Sequence, residues 1–233
     1  MLTDWRHPFS LTYQLGNANR FWEVTMSFFE NTRNPKGFGG KIMLIMMNSG
    51  HSALAEWGFE HMQIAENASV LDVGCGGGAN IKRMLGLCPH GRVSGIDYSP
   101  VSVEKSRKIN RKAIATGRCD VIEGSALAMP FSANSFDIVT AFETVYFWSE
   151  IEKCFGEVYR VLAPNGYFMI CNESNGDTNK DDKWVEKIGG MTIYNGEQLR
   201  TFLANAGFED IQIDKNEKGW LCVKAHKGAA QKA

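Results

Sequence analysis

Residues 70–79, VLDVGCGGGA, constrain this chain more than any other stretch. A short apolar run suited to a buried strand ends in residues 74–78, four of which are glycine, and a helix-compatible segment, 80–87, follows without a linker. The order is strand, tight turn, helix. Glycine at Gly74, Gly76 and Gly78 permits positive φ and removes the Cβ atoms that would hold a ligand off, while the N–H groups at a helix start favour an anion. A small, partly negative ligand group is expected here.

Regular alternation follows. Segments 92–97, 119–123, 135–142 and 167–171 read as strands, and the last is a near-continuous apolar run of the kind found in parallel strands covered on both faces. Between them, 100–115 reads as a helix opened by Ser99 and Pro100, and 150–162 as a helix stopped by the APNG at 163–166. Asn195 with Gln198 three positions on forms a capping-box pattern for a helix ending near Ala206 and Gly207. Strands 208–214 and 220–224 are separated by five residues, short enough for an antiparallel hairpin. Ahead of the glycine turn, Phe21, Trp22, Val24, Phe28 and Phe29 recur at helical spacing, a second apolar segment covers 39–47, and a third covers 52–64 with Leu54, Trp57, Phe59 and Met62. The expected organisation is a helical cap over 1–67, an α/β domain over 68–226, and a frayed tail over 227–233.

Composition narrows the function. Among 233 residues, 25 Lys and Arg against 26 Asp and Glu give a net charge of -1 without the basic stripe that phosphate contacts require, so no nucleic-acid partner is expected. Cys75, Cys88, Cys119, Cys154, Cys171 and Cys222 are widely spaced with no C-x-x-C pair, which suits reduced thiols in a reducing compartment. The longest apolar run, 42–47, is too short for a signal peptide or a membrane span. A cytoplasmic protein is expected.

By itself the pattern Gly74-x-Gly76-x-x-Ala79 satisfies a dinucleotide fingerprint, with Asp97 suitably placed for a ribose. Three further features bear on the choice. Asp72 extends the pattern to D-x-G-x-G-x-G over 72–78, EGSALAMPF at 123–131 leads into SFDIV at 135–139, and VLAPNG at 161–166 precedes the fifth strand. With these four ordered motifs the chain from 68 to 225 resembles the class I S-adenosylmethionine-dependent methyltransferases, in particular the quinone-biosynthesis type and its small-molecule relatives. The resemblance implies a Rossmann-like three-layer α/β sandwich whose seven-stranded, mostly parallel sheet runs 3-2-1-4-5-7-6 with strand 7 antiparallel. It implies S-adenosylmethionine as cofactor and S-adenosylhomocysteine as product. Asp72 and the backbone of Gly74, Cys75, Gly76 and Gly78 would hold the methionine part, Asp97 the ribose hydroxyls, Tyr98 the adenine face, Ser125 and Ala126 the adenine edge, and Phe142 would close over the cofactor.

Two positions depart from that family's pattern. Ser125 stands where an Asp often accepts from the adenine amino group, which removes the charge from that hydrogen bond. Asn165 replaces a turn glycine, and Asn tolerates the left-handed backbone. Methyl transfer needs nucleophile and methyl group in line, so positioning carries most of the catalysis and no obligatory catalytic residue follows. Acceptor-side candidates are Glu143, as a base or cation holder, with Tyr146 and Trp148 as substrate contacts; an ordinary loop carboxylate is the alternative for Glu143. His51 is a second candidate base, against a structural or capping histidine, and Lys41 and Arg20 read as surface charge. His51 with Met43, Met46 and Met47 has no metal-ligand spacing, so no metal is expected. FETV at 142–145 lacks the Asp/Asn-Pro-Pro-aromatic turn of nucleobase amine methyltransferases, and the aromatic preface suits a small, fairly hydrophobic acceptor. A cofactor-binding protein without methyl transfer, and a nicotinamide-dependent oxidoreductase, are the other readings; the oligomeric state is left open.

Overall fold

A computed structural model describes residues 52–177, 185 and 190–229. The segments 17–31 and 39–47, together with His51, Lys41, Arg20 and the methionines at 43, 46 and 47, lie outside the described residues. Seven strands, β1 (Ser69–Val73), β2 (Arg92–Asp97), β3 (Cys119–Glu123), β4 (Phe136–Phe142), β5 (Leu162–Asn172), β6 (Glu209–Lys215) and β7 (Leu221–His226), form one sheet in the order β3-β2-β1-β4-β5-β7-β6. β7 runs antiparallel to both β5 and β6, and the other neighbours are parallel. This is the topology the resemblance implies.

Strand alternation feeds two cores. Along β5, Phe168 and Ile170 enter one, and Met169 and Cys171 enter the other. The first is closed by α5 (Ile151–Val161) and α6 (Gly196–Asn205), through Phe155, Val158, Leu199 and Leu203. The second is closed by α1 (Ser52–Glu60), α2 (Ala79–Leu87) and α3 (Pro100–Ile109), through Leu54, Ile81, Met84 and Val103. α5 shows why these residues make a helix: Ile151, Cys154, Phe155, Val158 and Val161 are its buried positions, spaced three and four apart. Burying each large side chain contributes about 1.5–3 kcal/mol.

The expected caps form. Ser99 accepts from the Ser102 N–H with Pro100 in the first turn, and Asn195 and Gln198 close a capping box. Three boundaries differ from the sequence reading. The single helix expected over 100–115 is divided at Asn110 into α3 and α4 (Arg111–Ala115), because the Asn110 amide turns back to bond the Ser106 and Gly78 carbonyls. β5 begins at Leu162, earlier than expected, but residues 163–166 bulge out of register with β4, which pairs Phe136 with Leu162 and next Ile138 with Tyr167; Asn165 is left-handed at φ 63° in this bulge, and its N–H bonds the Lys227 carbonyl at 2.9 Å. Lys227 is therefore not part of a loose tail. Its N–H donates to Gly166 O at 2.9 Å, and its ammonium reaches the carbonyls of Tyr159 and Leu162 at the end of α5, both at 2.7 Å. All six cysteines are buried free thiols. No helix among the described residues is long and apolar enough to cross a membrane.

Candidate cofactor site and acceptor end

Everything at the site hangs on the end of β2. Gly74, Gly76 and Gly78 all have positive φ, at 75°, 50° and 79°. A Cβ at Gly74 would lie 2.0 Å from Thr144 Oγ1 and one at Gly78 would lie 2.3 Å from Ser106 Oγ, whereas one at Gly76 would meet nothing within 4 Å. The first and third glycines thus serve close packing, and the second faces open space. The N–H groups of Gly74 and Cys75 both donate to Ile96 O, at 2.8 and 3.1 Å, that of Gly76 to Asp97 Oδ2 at 2.8 Å, and that of Gly78 to Cys75 O at 3.0 Å. These four donors, which the sequence reading offered to a ligand, are committed within the protein. An anion is left with the first turn of α2, whose N–H groups no helix bonds internally.

Behind the turn runs a feature the sequence reading missed. Ser99, Ser102, Ser106 and Asn110 are spaced three, four and four along one side of α3, and all are buried. Ser106 and Asn110 pack against the glycine turn, Asn110 Nδ2 donating to Gly78 O at 3.1 Å, while the Ser99 backbone N–H and the Ser102 side chain bond Asp97, the first to Oδ1 at 2.9 Å. A polar stripe at helical period beside a glycine turn was the available signal. An ordinary amphipathic helix would bury apolar residues there.

Two carboxylates flank the turn. Asp72 is 2 % exposed and accepts from the Thr140 hydroxyl at 2.7 Å. Burial pushes its pKa up to about 7; the Thr140 hydrogen bond opposes this and the Asp97 charge adds to it. Asp97 is also raised by burial, against the pull of the Ser99 and Gly76 N–H groups and the Ser102 side chain. Each Asp97 oxygen accepts one backbone N–H and the Ser102 side chain bonds the carboxylate as well, which leaves part of its acceptor capacity unused.

Between the turn, the end of β2, the loop after β3 and the segment after β4 lies an open crevice of about 220 Å³. Asp97, Tyr98, Ser125, Ala126 and Trp148 line it, with Gly74 and Ile96 at its floor. Tyr98 is 43 % exposed there. Ser125 Oγ accepts the Leu127 N–H at 3.2 Å, so its hydroxyl already serves its own turn. Asp72, Cys75 and Phe142 do not line this crevice. Cys75 is buried against the α2 side, and Phe142 packs on Phe59 of α1 with ring centroids 5.2 Å apart. An acid with spare acceptors beside an exposed aromatic ring and an apolar floor suits a sugar diol joined to a flat base.

Beyond β4 the acceptor-side candidates come together. Glu143 is left-handed at φ 57°, and its Oε1 accepts from the Tyr146 hydroxyl at 3.1 Å and from the Glu173 N–H. Tyr146, 3 % exposed, also takes the Ser174 N–H on its oxygen at 2.9 Å; burial and the Glu143 charge push the phenol well up. Trp148 donates its indole N–H to Thr144 Oγ1 at 3.2 Å and stacks on Phe168 at 6.3 Å, so it belongs to the core as well as to the crevice wall. No cluster of metal-ligating side chains occurs among the described residues.

Comparison with known proteins agrees with this geometry. Residues 71–170 match the family model described as "Methyltransferase domain". Cycloartenol-C-24-methyltransferase 1 of Oryza sativa subsp. japonica is 28% identical over 210 residues, which cover 83% of this chain and 59% of that protein. 24-methylenesterol C-methyltransferase 2 of Arabidopsis thaliana is 32% identical over 173 residues, 72% of this chain and 46% of that one. The chain thus spans about half the length of these curated relatives. A SAM-dependent methyltransferase from Aquifex aeolicus shares the fold with a TM-score of 0.65 at 19% identity, over 78% of this chain and 96% of that one. Sheet order, glycine turn and family match converge: residues 71–170 match a methyltransferase domain, and they lie on a sheet with the fold of the class I S-adenosylmethionine-dependent methyltransferases.

Proposed function

We propose that this protein transfers a methyl group from S-adenosylmethionine to a small, fairly hydrophobic acceptor. The observation that carries the reading is the Asp97 carboxylate, which both supports the glycine turn and lines the crevice. On this reading Asp97 binds the ribose hydroxyls, Tyr98 covers one face of the adenine, and Ser125 and Ala126 meet its edge. The first turn of α2 takes the carboxylate of the amino acid end, and Asp72, buried beneath the turn with its pKa pushed up to about 7, is the acid that the arriving ammonium draws into its ionised form. Bound there, the cofactor supplies an electrophilic methyl group and its own leaving group. Glu143, Tyr146 and Trp148 form the acceptor end, and His51 remains a candidate base. The sterol C-methyltransferases among the relatives favour an apolar acceptor with a reactive carbon, and Phe59, Phe142 and Trp57 provide aromatic surface on the α1 side of the sheet. A cytoplasmic location belongs to the same proposal.

Isothermal titration with S-adenosylhomocysteine tests it. Saturable binding is expected, and no heat at millimolar ligand would refute it. Incubation with methyl-labelled S-adenosylmethionine and a metabolite extract, followed by mass spectrometry, then finds the acceptor. Tight cofactor binding without label transfer across a broad extract would favour a sensor or scaffold.

A further inference from the structure

We propose that Tyr146 is a positioning residue that holds the Glu143 carboxylate, as an anion, against the positive charge that arrives on the acceptor during methyl transfer. The inference rests on the methyltransferase reading and goes beyond it by assigning the chemistry of the acceptor end. The acceptor's electron pair forms the new bond to the methyl carbon, and the electron pair of the broken C–S bond stays on sulfur. The unit positive charge therefore leaves the sulfur and appears on the acceptor, whatever its attacking atom, before any proton is lost to water. A fixed anion on that side stabilises the transition state more than the ground state.

The geometry fits such an anion better than a proton-abstracting base. One oxygen of Glu143 receives two donors, the Tyr146 hydroxyl at 3.1 Å and the Glu173 N–H. Hydrogen bonds to a carboxylate favour its ionised form. The phenol is itself held, accepting the Ser174 N–H at 2.9 Å, and the Tyr146 carbonyl receives the Thr192 N–H at 2.8 Å. Tyr146 thereby ties three segments together: the turn after β4, the end of β5 and the stretch leading to α6. Its burial keeps the phenol protonated, so it stays a donor throughout the neutral range. Glu143 meanwhile occupies a left-handed conformation that residues with a Cβ rarely adopt, and its N–H bonds Cys171 O at 3.0 Å. Strain of this kind persists where surrounding bonds over-determine it. Here those bonds aim one carboxylate.

The test needs no acceptor. Sinefungin replaces the methyl-bearing sulfonium of the cofactor with a carbon carrying an ammonium, which places a cation at the methyl position, next to where the acceptor's charge would arise; S-adenosylhomocysteine is neutral there. The ratio of their dissociation constants, measured by calorimetry within each variant, cancels general damage to the site. The wild-type protein is expected to prefer sinefungin. Glu143→Gln should reduce that preference about tenfold and Tyr146→Phe about threefold, the second because the carboxylate remains but loses one donor. Equal ratios in all three proteins would overturn the proposal while leaving the methyltransferase reading intact. Failure of S-adenosylhomocysteine to bind the wild type would overturn both. Should Tyr146→Phe fold poorly, Ser174→Pro, which removes the N–H that holds the phenol and leaves Tyr146 and Glu143 in place, should lower the ratio in its stead, and an unchanged ratio there would overturn the role of Tyr146.

Discussion

Asp72 offers the sharpest test of the buried electrostatics. Its folded pKa lies near 7 against 3.8 for an ordinary aspartate, so the folded protein prefers the protonated form. Stability contributed by this group is complete below the unfolded value and is lost as pH rises through the folded one. Integrating the linkage relation, ionisation of the unfolded chain disfavours folding by about 2 kcal/mol at pH 5 and about 4 kcal/mol at pH 8, and levels off above that. Asp72→Asn keeps an oxygen for the Thr140 hydroxyl and has no charge to lose. Urea unfolding of both proteins at pH 5 and pH 8 gives a double difference in which the other titrating groups cancel. The wild type should lose roughly 2 to 3 kcal/mol more than the variant between these two pH values. Parallel profiles within about 0.5 kcal/mol, the usual agreement for independent effects, would refute the argument and mean that Asp72 ionises in the ordinary range. Saturating S-adenosylhomocysteine at pH 8 should then raise the wild-type melting temperature more than that of the variant, because its ammonium favours the ionised acid.

Three further outcomes follow from the same geometry. Gly74→Ala places a methyl group on Thr144 at a left-handed position, and should lower stability by about 3 kcal/mol in chemical denaturation and abolish S-adenosylhomocysteine binding. Asn110→Ala removes the hydrogen bond to Gly78 and should weaken S-adenosylhomocysteine about tenfold by calorimetry, a loss of the size expected for one buried hydrogen bond. Lys227→Met leaves the carbonyls at the end of α5 without their ammonium, and should cost about 1–2 kcal/mol by urea unfolding, with little change in cofactor affinity.

Local periodicity made most of the fold legible. The apolar run of β1 with its glycines, the Ser99 and Pro100 start of α3, the Asn195 and Gln198 box and the closing hairpin all appear in the structure because each depends on residues within a few positions. The readings that failed depend on distant partners. Nothing near Asn165 and Gly166 in the sequence says that Lys227 will bond both of them, and helix propensity over 100–115 says nothing about Gly78 needing the Asn110 amide. At the site, the types of residue were readable but their engagements were not. That β2 takes up the turn's N–H groups depends on Ile96 and Asp97 some twenty residues on, and that Phe142 packs on Phe59 depends on a helix far ahead of it in the chain. Tyr146 was readable as an acceptor-end residue, but the place of its hydroxyl between Glu143 and Ser174 was not.

The acid at the end of β2 has a last consequence. In nucleotide-binding sheets of this general kind, cofactor preference is commonly set by the acid that meets the ribose. Here Asp97 Oδ2 is also the support for Gly76, and Oδ1 the support for the start of α3. A neutral or basic replacement would not merely change what the sugar meets; it would release the glycine turn from its strand. On the proposed reading position 97 is thus closed to cofactor redesign by single substitution, and a change of methyl donor would have to enter at the rim through Tyr98, whose exposed ring lines the crevice, since Ser125 is tied to its own turn by the Leu127 N–H.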